Sequence, residues 1–253
     1  MTGRVYLVGA GPGAPDVLTL RAARLLDDAD IVFYDALVHP QTVAIAARAR
    51  KIAVGKRCGR HSTAQRFINK RLVDAAQRHA VVVRLKGGDP MMFGRAQEEI
   101  AALEAAGIAC EVVPGITAAL AAAAEIRTSL TQRGSARSIT FATPRVGDAQ
   151  SASTWARGLA AADAGAIYMG VGEAALIART LMAAGKPAGL PVAVVESASL
   201  PEQRVRYTTL AELPTLADAS ISGPALILIG PQFRARALAV AERCAEERRA
   251  ATA

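Results

Sequence analysis

The sequence predicts an α/β protein made of two α/β domains, on three observations. Through residue 113, short apolar runs alternate with amphipathic stretches of helical period, the pattern of strands joined by helical crossovers. Two of those runs empty directly into glycine-rich turns. Past residue 190 the apolar runs follow one another with less room for long helices, which points to hairpins and a mixed sheet.

In the first half, strands are expected at 4–9, 30–34, 51–55, 81–86 and 109–113. Leu18, Ala22, Leu25 and Leu26 share one helical face, and Ile68, Leu72, Ala75 and Ala76 share another, with Ser62 as the N-cap of that second helix. Five strands with helical crossovers make a parallel sheet covered on both faces. The segment Val112-Val113-Pro114-Gly115-Ile116-Thr117 reads as a strand end, a turn and a helix start. The domain boundary is set there, giving an N-terminal parallel α/β domain over 1–114 and a C-terminal α/β domain with a mixed sheet over 115–247. In that second domain strands are expected at 137–142, 166–170, 191–196, 204–210 and 224–230, then a helix over 232–247, with 248–253 as a frayed tail.

Composition narrows the class of function. Of 253 residues, 52% are hydrophobic and 21% charged, which suits a globular protein with a substantial core. No apolar run approaches the roughly 18 residues needed to cross a bilayer, so no membrane association is expected. Met1-Thr2-Gly3-Arg4 leads straight into a strand with no secretory signal, so a cytoplasmic location is expected. Cys58, Cys110 and Cys244 are odd in number, far apart and without clustered histidines. Reduced thiols and no metal centre follow. The net charge of +8 is spread along the chain and aromatics make only 4%, a poor match to stacking on single-stranded nucleic acid.

The glycine turns carry the chemistry. Val5-Tyr6-Leu7-Val8 runs into Gly9-Ala10-Gly11-Pro12-Gly13-Ala14-Pro15-Asp16, and Val81-Val82-Val83-Arg84-Leu85 runs into Lys86-Gly87-Gly88-Asp89-Pro90-Met91-Met92-Phe93-Gly94-Arg95. Glycine allows sharp turns and close approach of backbone to a ligand, so two such turns mark a crevice at the carboxyl edge of a sheet. The first partly imitates the dinucleotide-binding pattern G-x-G-x-x-[GA]. Pro12 and Pro15, however, lack the amide protons that would cradle a pyrophosphate. Asp35 also lies further along than the usual spacing of about 20 residues. A cofactor without phosphates, such as S-adenosylmethionine, fits a proline-bearing loop better.

Five stretches in order, VYLVGAGPGAPDVLTL, ADIVFYDALV, VGKR, VVRLKGGDPMMFGR and VVPGITAA, resemble the tetrapyrrole methylase family over essentially the whole chain. Within that family they are most similar to the enzymes that act on uroporphyrinogen III. The resemblance implies two α/β domains with the active site in the cleft between them, a homodimer, and S-adenosylmethionine as cofactor with S-adenosylhomocysteine as product. It implies two successive C-methylations of uroporphyrinogen III to precorrin-2, on the branch toward sirohaem and cobalamin. It places cofactor contacts at Pro12, Gly87, Gly88, Asp89, Met92, Thr117, Ala118, Met169, Ala198 and Ala225. It assigns Asp35 as proton acceptor and Lys56 as proton donor, or the two as an ion pair without proton transfer. Asp89 has a second reading as the cap of a helix beginning near Pro90. Because the acceptor carries eight carboxylates, Arg57, Arg84, Arg95 and Arg133, which flank the motifs, are candidate substrate forks.

Departures bear on the acceptor. Gly94-Arg95-Ala96-Gln97-Glu98-Glu99 stands where relatives read GRGGEE, Arg127-Thr128-Ser129 where they carry GIP, and Thr143-Pro144-Arg145 where they have TGH. Ser197 replaces an asparagine, and Ala198 a following glycine. Another precorrin therefore stays open as acceptor. An RNA methyltransferase of related fold is disfavoured by GGDP in place of GTP, and a dinucleotide-binding protein is the remaining alternative class.

Overall fold

The computed structural model describes residues 2–55, 65–144, 154–217 and 221–251. The chain forms two compact units, Met1–Ala118 and Ala119–Ala253. In the first, β1 (Arg4–Gly9), β2 (Ile31–Tyr34), β3 (Arg50–Ala53), β4 (Val81–Lys86) and β5 (Cys110–Val113) form one sheet in the order β3-β2-β4-β1-β5. Every pairing in it is parallel. The helices are α1 (Leu20–Asp28), α2 (Pro40–Ile45), α3 (Gln65–Ala76) and α4 (Ala96–Ala105). Thr19 starts α1 by accepting the Ala22 amide proton at 3.1 Å. The expected N-cap of α3, Ser62, lies outside the described residues.

Strand periodicity decides which helix covers which face. Val5, Leu7, Ile31, Phe33 and Val82 meet Ile68 and Leu72 of α3 and Leu103 of α4. The alternate residues Val8, Val32, Val83 and Leu85 meet Ala22 and Leu26 of α1 and Val43 of α2. Each of the buried Val, Leu, Ile and Phe side chains contributes about 1.5–3 kcal/mol relative to exposure. Strands β1 and β4 are neighbours, yet the helices that follow them, α1 and α4, lie on opposite faces. The loops leaving these two strands therefore part company, which is the topological switch point where open α/β sheets bind ligands. At the sheet's edge, exposed Arg50 and Lys51 of β3 discourage pairing with another strand.

In the second unit β6 (Ile139–Ala142), β7 (Ala164–Tyr168), β8 (Pro191–Glu196), β9 (Arg204–Thr209) and β10 (Ala225–Ile229) form a sheet in the order β6-β7-β10-β8-β9. Only β6 and β7 are parallel; β10 runs against both of its neighbours, and β8 and β9 make a hairpin. The expected mixed sheet is thus present. The helices are α5 (Ala118–Glu125), α6 (Trp155–Ala161), α7 (Ala174–Ala183), α8 (Leu213–Ala217) and α9 (Arg234–Ala251). Leu159, Ile177, Leu181 and Leu213 pack on Ile167, Val192, Val194 and Ile227 of the sheet. Helix α9 runs to Ala251, beyond the expected end at 247. Its alanine, glutamate and arginine residues are all good helix formers and nothing in them stops the helix.

Two carboxylates tie this unit together. Asp163 accepts the amide protons of Arg137 and Ser138 and the Ser138 hydroxyl proton, each at 2.9 Å, fixing the start of β6 beside β7. Glu196, almost fully buried at the end of β8, accepts the amide protons of Ser222 and Gly223 at 2.8 Å and faces Arg206 at 3.5 Å. Burial alone would raise the Glu196 carboxyl, but the two amides and the arginine outweigh it and hold it below its ordinary 4.5. The two amides and the serine hydroxyl hold Asp163 below 3.8. Both groups bind fewer protons folded than unfolded. The stability they add is complete above those ordinary values and is lost as pH falls through the lowered folded-state values. Urea midpoints should therefore drop between about pH 5 and about pH 3, and the Glu196→Gln, Asp163→Asn double variant should show a shallower drop.

Candidate functional site

Three loops meet where β1, β4 and β5 end. Gly11 and Gly88 pair as an isolated antiparallel bridge, the Gly88 amide donating to Gly11 O at 2.7 Å and the Gly11 amide to Gly88 O at 3.2 Å. Both need glycine, with φ of 75° and 70°. A side chain at Gly115 would put its Cβ 2.4 Å from Gly88 O and 2.8 Å from Gly9 Cα. One at Gly9 would come within 2.6 Å of Gly115 Cα. Backbone thus lies on backbone, leaving no room for any side chain between the three turns.

Asp89 fastens the arrangement. Its Oδ2 accepts the Gly115 amide proton at 3.0 Å and its Oδ1 the Met91 amide proton at 2.8 Å. The reading of Asp89 as a helix cap is corrected: residues 90–94 form turns and bends, and α4 starts only at Ala96. The carboxylate instead closes a local turn and binds the β4 loop to the β5 loop. Half-buried Pro12, Gly87, Met92 and Ala118 and buried Thr117 lie on these same three loops or at the start of the helix after them. Phe93 and Arg95, at φ of 53° and 55°, are left-handed without being glycine, a conformation such residues adopt only under constraint.

Below this edge sits a buried set of charges. Period two along β4 puts Arg84 and Lys86 on the α4 face with Val82, and Asp35, just past β2, on the same face as Phe33. Glu99, fully buried on α4, accepts from Arg84 Nε with Oε1 and from Lys86 Nζ with Oε2, both at 3.0 Å. A second nitrogen of Arg84 donates to Asp35 Oδ1 at 2.6 Å, and its third to Leu85 O at 3.2 Å. Burial pulls the Arg84 guanidinium down, but Asp35 and Glu99 more than compensate and raise it. Burial, then repulsion from Arg84, lowers the Lys86 ammonium despite the two carboxylates.

These contacts correct the reading of Arg84 as a fork for substrate. It is 2% exposed and every nitrogen is spent inside the protein. Asp35, by contrast, keeps 27% of its side chain exposed. Exposed Arg95 is engaged by Glu98 through two contacts of 2.7 and 2.8 Å. Arg133 is exposed on a turn of the second unit. Lys56 and Arg57 lie outside the described residues. Lys86 and Glu99 escaped the reading of the sequence, although two cations inside an otherwise apolar strand are a signal that a carboxylate must come to meet them.

In the second unit the candidates converge at one end of the sheet. Met169 follows β7, Ala198 follows β8 and Ala225 opens β10, and β10 lies between the other two strands. Ala225 is opposite Glu196, Leu226 is opposite Tyr168, and the Ser197 amide donates to Pro224 O at 2.8 Å. Met169 is 46% exposed and left-handed at φ 55°, while Ser197 and Ser199 flank Ala198 at 51° and 71°.

Residues 4–214 match the family model described as Tetrapyrrole (Corrin/Porphyrin) Methylases. The chain belongs to the tetrapyrrole methylase family. Among its relatives, the siroheme synthase of Azotobacter vinelandii is 45% identical over 236 residues, 92% of this chain and 51% of that protein. That of Chromobacterium violaceum is 46% identical over 230 residues, 90% and 49%. The chain therefore spans about half the length of these curated relatives. A uroporphyrin-III C-methyl transferase from Thermus thermophilus, solved with S-adenosylhomocysteine, superposes with a TM-score of 0.81 at 39% identity, covering 92% of this chain and all of that one. A cobalt precorrin-4 methyltransferase gives 0.79 at 27% identity, covering 90% and 94%. In this family member the two kinds of backbone constraint predict opposite outcomes. Gly115→Ala should cost about 1–3 kcal/mol by overpacking. Ser197→Gly should add about 0.5–1 kcal/mol, relief of the left-handed conformation exceeding the added freedom of the unfolded chain. Urea denaturation of both variants checks the signs.

Proposed function

We propose that this tetrapyrrole methylase uses S-adenosylmethionine to methylate carbon on uroporphyrinogen III twice in succession, giving precorrin-2 and S-adenosylhomocysteine. The observation that carries the reading is the meeting of the three glycine turns at the switch point of the first sheet, in a chain 39% identical to a methyltransferase solved with S-adenosylhomocysteine. The same turns argue against a dinucleotide. The amide protons of Gly11 and Gly88 are spent on each other's carbonyls, and Pro12 has none, so these positions offer no donor to a pyrophosphate.

S-adenosylmethionine supplies an electrophilic methyl group on a positively charged sulfur. The protein's part is first to hold an electron-rich carbon in line with that methyl. Backbone of Gly87 and Gly88, the Met92 side chain and the Thr117-Ala118 helix start are the groups of the first unit that would hold the donor. Met169, Ala198 and Ala225 are those of the second. Once the carbon–carbon bond has formed, a ring proton must leave, and our reading gives that proton to Asp35, supported by the Arg84 contact at its Oδ1 and the partial exposure of its side chain. Lys56 is the proposed proton donor. Leu37, Met91 and Phe93 are exposed on loops at the same edge and suit the apolar face of a macrocycle, with Arg57, Arg95 and Arg133 for its carboxylates. The reading includes a cytoplasmic homodimer.

A second acceptor is favoured by one observation. Ala96 and Gln97 stand where the family resemblance implies glycines, and Ala96 is buried at the start of α4 directly after the loop, so the rim beside the proposed donor seat departs from that pattern. A precorrin in place of uroporphyrinogen III is the alternative. Mass spectrometry after incubation with S-adenosylmethionine and reduced uroporphyrinogen III should show two added methyl groups; no added mass, with a precorrin methylated instead, replaces the acceptor. Calorimetry should give heat with S-adenosylhomocysteine and none with NAD. Asp35→Asn should bind S-adenosylhomocysteine as the unaltered protein does and lose about 100-fold or more in turnover.

A further inference from the structure

The buried charges join two parts of the site that the chain separates widely. Lys86 is the last residue of β4, directly before Gly87-Gly88, and Glu99 lies in the first turn of α4, directly after the loop. Their 3.0 Å contact closes the neck of the 87–95 loop. Gly94 makes room for it, since a Cβ there would meet Lys86 Cε at 3.1 Å. From Glu99 the chain of contacts continues through Arg84 Nε and ends at Asp35 Oδ1.

Charge explains why the exposed end belongs to the buried set. Arg84 and Lys86 against Glu99 alone would leave one uncompensated cation out of water, which is expensive. Asp35 makes the group neutral. A set that served only to fasten α4 to the sheet would be best closed by a buried carboxylate, whereas this one ends on a carboxylate that reaches solvent.

We infer that Arg84, Lys86 and Glu99 are positioning residues that couple the 87–95 loop to Asp35, so that the seat of the methyl donor and the place of the proton acceptor are set by one buried structure. This rests on the reading of the loop as donor site and of Asp35 as proton acceptor. Arg84 acts through Asp35, Lys86 acts through the loop, and Glu99 holds both.

The test is a set of variants measured for S-adenosylhomocysteine affinity by calorimetry and for kcat and KM with uroporphyrinogen III across pH. Arg84→Lys keeps the charge but cannot reach Asp35 and Glu99 together. It should lower kcat about tenfold or more, with KM and affinity changed less than about threefold and the pH profile shifted. In an Asp35→Asn background the same change should add less than about a twofold loss. Lys86→Gln should weaken S-adenosylhomocysteine binding and lower kcat together, each about tenfold. Should that variant fail to fold, Lys86→Met carries the same measurement. Arg84→Lys with unchanged kcat, an equal loss in the Asp35→Asn background, or full affinity in the Lys86 variant overturns the coupling. Full turnover by Asp35→Asn overturns it too, by removing its end point, while the methyltransferase reading stands. An unaltered protein that neither binds S-adenosylhomocysteine nor methylates the tetrapyrrole fails the functional reading itself, and is told apart by that.

Discussion

At the carboxyl ends of β1, β4 and β5, backbone lies directly on backbone: a Cβ on Gly9 would meet Gly115 at 2.6 Å, and one on Gly115 would meet Gly88 O at 2.4 Å. Much of the first unit is arranged around that contact. It allows the Gly11–Gly88 bridge to span the point where the loops of β1 and β4 turn toward opposite faces of the sheet. It brings the Gly115 amide within reach of Asp89, so that the third loop is held by a carboxylate as well as by packing. The result is a rim in which the amides of Gly11, Gly88 and Gly115 already have partners, suited to a ligand held by shape and by a few polar contacts more than by anion-binding backbone.

The buried charges beneath the rim follow from the same geometry. Parallel strands covered on both faces are usually apolar throughout, and β4 breaks that rule twice, at Arg84 and Lys86. The cost of desolvating two cations is met by Glu99 from the helix above and Asp35 from the neighbouring strand's end. Removing one partner from such a set is far more damaging than never having had it. An arrangement so exposed to single substitutions is a costly way to fasten a helix, and its reach from loop to edge carboxylate gives it a further use.

The second unit uses a different device. Its candidate residues sit at one end of an antiparallel arrangement, where β10 enters between β7 and β8. There the chain accepts left-handed backbone at Met169, Ser197 and Ser199 without glycine. Glu196 holds the facing 222–223 turn through two amides, which fixes the start of β10 against the end of β8. Strain and its restraint thus occur within a few residues of one another.

Much of this was legible in the residues. Alternating apolar runs placed the strands, because side-chain period is a local property of the backbone. The glycine turns marked the rim, because a position that tolerates no Cβ can be filled by one residue type only. Met169, Ala198 and Ala225, scattered along the chain, do gather at one sheet end. What the residues alone could not supply was the partner of each charge. Arg84 read as a fork for substrate, and Lys86 and Glu99 read as nothing, because whether a cation faces water or a carboxylate depends on where α4 crosses the sheet. Asp89 read as a cofactor contact, with a helix cap as the second reading because Pro90 suits a first turn, but neither reading pointed to the Gly115 amide, 26 positions away in sequence and 3.0 Å away in space. The sequence by itself determined two α/β units, the glycine rim and the family. Only the tertiary structure decided which charges are buried together, since that rests on distances between elements that no local pattern encodes.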